Sequence, residues 1–174
     1  FIQNKALELS LFLSLPATIA LLIASDEITS SLFGYGSFDK LSVKNSANAL
    51  FYFALGLPAF SFIKIFSSFL FARHNTKIPF YFSVISVIIN IIISVYYFNK
   101  IGFIIIPIAT TISSWFNVAL LLIYLTNKKF YLIDLTLFKS LFKIGLSTAF
   151  TSYIFYHLIN YFSDNLSYNS EYKL

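Results

Sequence analysis

Five apolar blocks, each about as long as a membrane is thick, take up almost all of this 174-residue chain. A hydrocarbon core about 30 Å thick is crossed by roughly 20 apolar residues in a helix. Residues 80–98 carry no charged side chain, and neither do residues 101–127. With 58% hydrophobic and 11% charged residues, the chain lacks the polar surface to cover a water-soluble globule, in which about a quarter of residues are charged. The solvent for most of this protein is lipid.

Helices are the natural way to cross, because each segment then satisfies its own backbone groups. Barrel strands would need alternating apolar and polar residues, and residues 84–95 do not alternate. The expected fold is therefore an all-α polytopic membrane protein with five transmembrane helices. Four of them fall in residues 1–129, over about 6–24, 47–72, 79–98 and 103–126. Residues 130–162 supply an additional helix, and 163–174 form a polar tail. Residues 25–46 read as a loop, with Gly34 and Gly36 setting turn geometry. Pro79 and Pro107 suit the first turns of their helices. Pro16, Pro58 and Pro107 interrupt hydrogen-bond ladders in or near spans, as a bending point or a static kink would.

Charge gives a topology. Lys5, Arg73, Lys77, Lys128, Lys129, Lys139 and Lys143 fall on one side of the expected spans; Lys40, Lys44, Lys100 and Lys173 fall on the other. The richer side belongs in the cytoplasm, so the Phe1 end is expected inside. The cations form no dense stripe, which argues against nucleic acid as a partner. There is no Cys, and His74 and His157 lack ligand spacing, so no metal site is expected. No nucleophile–base pair is present, so no catalytic residue is expected and the chain does not read as an enzyme. It begins at Phe1 and contains no Met, and is expected to be a piece of a longer protein.

Three motifs carry a family resemblance. The first is Ala54-Leu55-Gly56-Leu57-Pro58-Ala59-Phe60 running on through Lys64 to Phe66, followed by Phe71-Ala72-Arg73-His74-Asn75-Thr76-Lys77-Ile78-Pro79. The second is Gln3-Asn4-Lys5-Ala6-Leu7-Glu8-Leu9 with Leu15-Pro16-Ala17. The third is Leu32-Phe33-Gly34-Tyr35-Gly36-Ser37-Phe38. Together, and in this order, they resemble the lipid II flippase (MurJ/MviN) family of the multidrug/oligosaccharidyl-lipid/polysaccharide exporter superfamily. The likeness covers residues 1–129 by motif and the last helix by position and hydropathy.

The resemblance implies the C-terminal part of a fourteen-helix, two-lobed transporter in the bacterial plasma membrane. It implies movement of lipid-linked peptidoglycan precursor (lipid II) to the outer leaflet by alternating access. The partners would be lipid II, membrane lipids and the missing N-terminal half. No cofactor is implied beyond a coupling ion, sodium or proton, or the membrane potential. The family's cavity arginines would lie on helices outside this chain, so the chain alone is expected to be inactive. Two rivals are another exporter of the superfamily, for drugs or polysaccharide-lipids, and a non-transporting scaffold or split-gene remnant.

Six residues stand out on that basis. Lys64 is a charge deep within an expected span, where an isolated cation costs roughly 3 kcal/mol. It either lines a wet cavity and attracts the substrate diphosphate, or pairs or snorkels. Arg73 and Lys77 flank a turn and would meet the anionic precursor or lipid heads, or serve as topology anchors. Asn90, Ser94 and Thr110 match positions at which some family members hold sodium, except that Ser94 stands where the pattern has an acid. The alternative for these three is interhelical hydrogen bonding, worth roughly 0.6 kcal/mol in a membrane.

Overall fold

The computed structural model describes residues 2–35, 39–130 and 135–166, with side chains placed over 3–35, 39–130 and 139–162. Among the described residues every regular element is helical. These are α1 (Ile2–Ile23), α2 (Ser25–Phe33), α3 (Lys40–Ala54), α4 (Leu57–Ala72), α5 (Lys77–Ile101), α6 (Ile105–Asn127) and α7 (Leu135–Leu166), with a 3₁₀ turn, Gly102–Ile104, between α5 and α6. Gly36 and the tail beyond Leu166 lie outside the described residues.

Burial runs opposite to that of a soluble protein. The outer face of α5 leaves Ile91 55%, Ile92 60% and Val95 70% exposed. Ser86, Ser113, Ser114 and Asn117 are buried. With lipid outside, apolar surface has no reason to hide, whereas small and polar side chains gain by facing one another. An apolar cluster lies at the seam where α1, α4 and α6 meet, built from Leu7, Ala59, Phe66, Leu70, Val118, Leu121 and Leu125.

Among the described residues two stretches are long and apolar enough to cross a membrane, Gln3–Ile23 and Lys77–Asn127, and α3 with α4 make a third if the bent pair counts as one span. The Lys77–Asn127 stretch folds back on itself at Gly102. Phe82 meets Tyr124 edge-on at 6.0 Å, and Asn90 bonds Thr110, so α5 and α6 run antiparallel. At 25 and 23 residues, each is long enough to span by itself. Gly102 makes the turn with φ +77°, a conformation that disfavours any side chain. In the region expected to hold the fifth span, α7 packs along α1. Lys139, Lys143 and His157 dilute it, and it does not reach the hydropathy of the other spans.

Two differences from the sequence expectation concern residues 25–72. The segment read as a loop is largely helical. Asp26 and Glu27 sit in the first turn of α2, where carboxylates complement the helix dipole. Asp39 caps α3, its carboxylate accepting from the Ser42 amide at 2.8 Å, so helix begins at Lys40 despite its polar first turns. Residues 47–72 do not form one rod: α3 ends at Ala54, α4 begins at Leu57, and the two are bent by 41°. Pro58 lies in the first turn of α4, where its missing N–H and fixed φ favour a fresh start over continuation.

Candidate functional site

The break between α3 and α4 frees backbone carbonyls in a region with no water to bond them. Helix α6 supplies the donors. Thr111 Oγ1 donates to the Tyr52 carbonyl at 2.7 Å, and Trp115 Nε1 donates to the Leu55 carbonyl at 3.1 Å. Four residues apart, Thr111 and Trp115 share one face of α6. Gly56 lets α6 approach: a Cβ there would lie 3.1 Å from Thr111 Oγ1 and 3.0 Å from the Phe60 ring.

On another face of α6, the structure brings Asn90, Ser94 and Thr110 together. Asn90 Nδ2 donates to Thr110 Oγ1 at 3.0 Å and to Ser113 Oγ at 3.4 Å. Ser94 Oγ donates to Asn90 Oδ1 at 3.4 Å. The cluster opens into a cleft of about 380 Å³ between α5 and α6 that is also lined by Ser83, Ser86, Ser114 and Asn117. Ser86, Ser113 and Ser114 each donate to a carbonyl of their own helix, so their lone pairs remain for the cleft. Asn117 is 5% exposed, and among the described residues its Oδ1 has no hydrogen-bond partner. Sequence reasoning passed over Ser86, Ser113 and Asn117. The signal was the polar spacing 110, 113, 114, 117 along an uncharged helix.

As arranged, this cluster consists of neutral hydrogen-bonding groups with the Asn90 amide nitrogen turned inward. A sodium ion would need Asn90 turned over to present Oδ1. It would also need a negative partner, because an uncompensated charge in low dielectric is costly. Residues 40–130 contain no Asp or Glu. The donor set therefore fits a clasp between two helices and does not by itself fit a cation.

Lys64 lies midway along α4 on an exposed stripe with Phe60, Ser68 and Phe71, facing away from the α1–α4–α6 seam. No described residue makes a hydrogen bond or ion pair with it. The end of α4 at Ala72 is about 12 Å away along the helix, longer than a lysine reaches. Lys77 lines an open groove of about 610 Å³ with Ser67, Phe71 and Phe80. Ser67 and Phe71 are three and seven residues beyond Lys64 and share its face of α4. Lys64 and Lys77 thus look onto the same side of the molecule.

Arg73 looks elsewhere. Its guanidinium carbon stands 4.4 Å from the Phe69 ring centre and 4.1 Å from that of Phe130. Phe69 is on the opposite face of α4 from Phe71, so the structure separates Arg73 from Lys77. Matching helix ends hold this stack. At the end of α4, the Asn75 amide donates to the Leu70 carbonyl at 3.0 Å and the His74 amide to the Phe71 carbonyl at 2.9 Å. At the end of α6, the Phe130 amide donates to the Leu125 carbonyl at 2.9 Å and the Lys129 amide to the Thr126 carbonyl at 2.9 Å. Both are Schellman caps, with His74 (φ 56°) and Lys129 (φ 54°) in the left-handed conformation. Asn75 Nδ2 donates to the Tyr124 hydroxyl at 3.2 Å, tying the α4–α5 turn to α6.

The cations sort by end of the bundle. Phe130 and Leu141 pack on the seam that contains Leu7, Leu70 and Leu125, and Lys5 and Lys143 line one groove. Lys5, Arg73, Lys77, Lys128, Lys129, Lys139 and Lys143 therefore gather at one end, while Lys40, Lys44 and Lys100 lie at the other. Asp39, also at that second end, is held below the ordinary carboxylate range by the hydrogen bonds from Ser42. Among the described residues no cluster of His, Asp or Glu could hold a metal ion.

Known proteins match this architecture. The lipid II flippase MurJ family model matches residues 2–174. The chain is 38% identical over 127 residues to a probable lipid II flippase MurJ of Rickettsia prowazekii, covering 73% of this chain and 25% of that protein. It is 32% identical over 166 residues to the corresponding Rhizobium meliloti protein, covering 95% of this chain and 31% of that one. A solved structure, lipid II flippase MurJ in an inward closed conformation, superposes with a TM-score of 0.78 at 26% identity, covering 87% of this chain and 31% of that chain. The chain thus spans about a quarter to a third of the length of these proteins. The resemblance carried by the three sequence motifs is borne out over nearly the whole chain, which belongs to the MurJ lipid II flippase family.

Proposed function

We propose that this chain is part of a flippase that carries the lipid-linked peptidoglycan precursor across the bacterial plasma membrane by alternating access. The observation that carries the reading is the family match over residues 2–174, on a bundle with apolar residues outward and polar residues inward. In this reading the remaining helices of the transporter come from the rest of the protein. The cation-rich end is cytoplasmic, as the positive-inside rule requires. The fifth crossing is made by α7, its length compensating for its lower hydropathy.

Lys64 and Lys77 are the substrate-side residues of this proposal. Both look onto one face that the described chain leaves open, and a diphosphate is the anion that two cations on that face would attract. Arg73 faces away from both, toward Phe69 and Phe130. The drive comes from the membrane potential or from a coupling proton or sodium ion. The neutral Asn90–Ser94–Thr110 cluster gives an ion no charge partner on this hairpin. The chain belongs with transporters because its family does.

The test is reconstitution of the full-length protein in vesicles with labelled precursor added to one leaflet. Appearance of precursor in the opposite leaflet is the expected result, together with loss of that movement in Lys64→Gln. Vesicles in which the full-length protein leaves the precursor where it was added would refute the proposal. The 174 residues alone are expected to move none.

A further inference from the structure

Arg73 has surroundings that the transport reading does not use. We infer that Arg73, clamped between Phe69 and Phe130, is a binding site for the phosphate of an anionic phospholipid headgroup. The inference rests on the reading that this end of the bundle meets a membrane surface; it does not depend on transport.

Two rings hold the guanidinium, whose carbon lies 4.4 Å from the Phe69 centre and 4.1 Å from the Phe130 centre. The Arg73 backbone amide donates to the Leu70 carbonyl at 3.1 Å, while the guanidinium N–H groups make no hydrogen bond or ion pair with any described residue. An arginine edge presents its donors in a planar fork that matches two oxygens of a phosphate. Free arginines lose much rotamer freedom when they bind. This one is already held, because the paired Schellman caps fix both Arg73 at the end of α4 and Phe130 just past the end of α6. A preformed donor loses less entropy on binding.

Charge favours an anion there. Lys128 and Lys129 directly precede Phe130, and no acidic residue lies between Asp39 and Asp134. The C-terminal dipoles of α4 and α6 oppose an anion, each with about half a charge at most. Three formal cations, Arg73, Lys128 and Lys129, outweigh them, and the caps already engage several of the last carbonyls. Location selects a lipid headgroup over the transported precursor. Arg73 is exposed at the level where the apolar helices end, and it points to the side of α4 opposite Lys64 and Lys77. Each basic residue near an anionic leaflet adds roughly a fivefold preference for it.

The experiment uses purified full-length protein exchanged between phosphatidylglycerol and phosphatidylcholine vesicles, with retained lipid read by native mass spectrometry. Wild type is expected to retain phosphatidylglycerol preferentially. Arg73→Gln should cut that preference about fivefold. Phe69→Leu with Phe130→Leu, which keeps every charge, should cut it by a smaller factor, and Arg73→Lys should restore only part of it. An unchanged preference in Arg73→Gln overturns the inference. So does an equal loss in Lys128→Gln, which would mean a diffuse surface field. So does a site that retains undecaprenyl diphosphate but no phosphatidylglycerol. Because the readout is lipid retention, a protein that holds phosphatidylglycerol through Arg73 yet moves no precursor refutes the flippase proposal alone.

Discussion

The α3–α4 pair and the α5–α6 hairpin solve the same problem in opposite ways. In the first, the backbone ladder is interrupted at Gly56 and Pro58, and the freed carbonyls of Tyr52 and Leu55 borrow donors from Thr111 and Trp115 of α6. In the second, α5 runs 25 residues without a break, and side chains bond one another through Asn90, Thr110 and Ser113. Removing a donor at the break takes from the Tyr52 or Leu55 carbonyl the bond that α6 supplies. Removing Asn90 from the clasp leaves Thr110 and Ser113 with the bonds they already make to carbonyls of α6. The break should therefore be the more sensitive of the two regions, and helix α6, which serves both, is the strut between them.

The largest effect is expected at Gly56. Gly56→Val places carbon 3.0 Å from the Phe60 ring and 3.1 Å from Thr111 Oγ1 before its own methyls are added. Overpacking of this kind costs about 1–3 kcal/mol, and it should appear as a lowered apparent melting temperature of the full-length protein in detergent. Gly56→Ala should cost less, since the Phe60 ring can swing aside. A Gly56→Val protein as stable as wild type would show that α6 is not held against the break.

Next come the borrowed donors. Thr111→Val and Trp115→Phe each remove one donor to a freed carbonyl and should cost about 1 kcal/mol apiece. Thr126→Val is the matched control, because Thr126 donates only within its own helix; it should cost little. Equal losses at all three positions would erase the contrast between break and rod.

The clasp should respond more weakly. Asn90→Leu is expected to cost about 0.6 kcal/mol, the usual size of an interhelical hydrogen bond in a membrane. Asn117→Leu should be neutral or stabilising, since the buried Oδ1 has no partner to lose. A marked destabilisation by Asn117→Leu would mean that something bonds this amide in the working protein, and the cleft would then need an occupant.

The smallest effect concerns the cap of α3. The Asp39 carboxyl is held low by the Ser42 hydrogen bonds, so its folded value lies below its unfolded one. Its contribution is therefore present above the ordinary carboxylate value and disappears as pH falls through the depressed one. Asp39→Asn, which can still cap, should flatten that acid-side dependence with little change at neutral pH. A wild-type pH profile retained in Asp39→Asn would remove Asp39 as its source.

What could be read from the chain follows the same contrast. The hairpin was legible because Asn90 and Thr110 are polar residues within the uncharged stretches 80–98 and 101–127. The sorting of seven cations to one end was legible because charges mark where chain leaves lipid. The break was not. Pro58 can start a helix or bend one, and a hydropathy window averages over both outcomes. Thr111 and Trp115 also gave no sign of their role, since their partners are carbonyls, which every residue has. The start of α3 was hidden by polar first turns, although Asp39 three residues before Ser42 is a capping signal. Arg73 was recognised as basic, but its clamp depends on Phe130, 57 positions away in sequence.

The tight turn after Gly102 bears on biogenesis. Two rods joined by three residues of 3₁₀ helix leave the ribosome almost together and can enter the bilayer as a folded pair. Asn90 and Thr110 then reach the oil already facing each other, and neither polar group has to meet hydrocarbon unaccompanied during insertion.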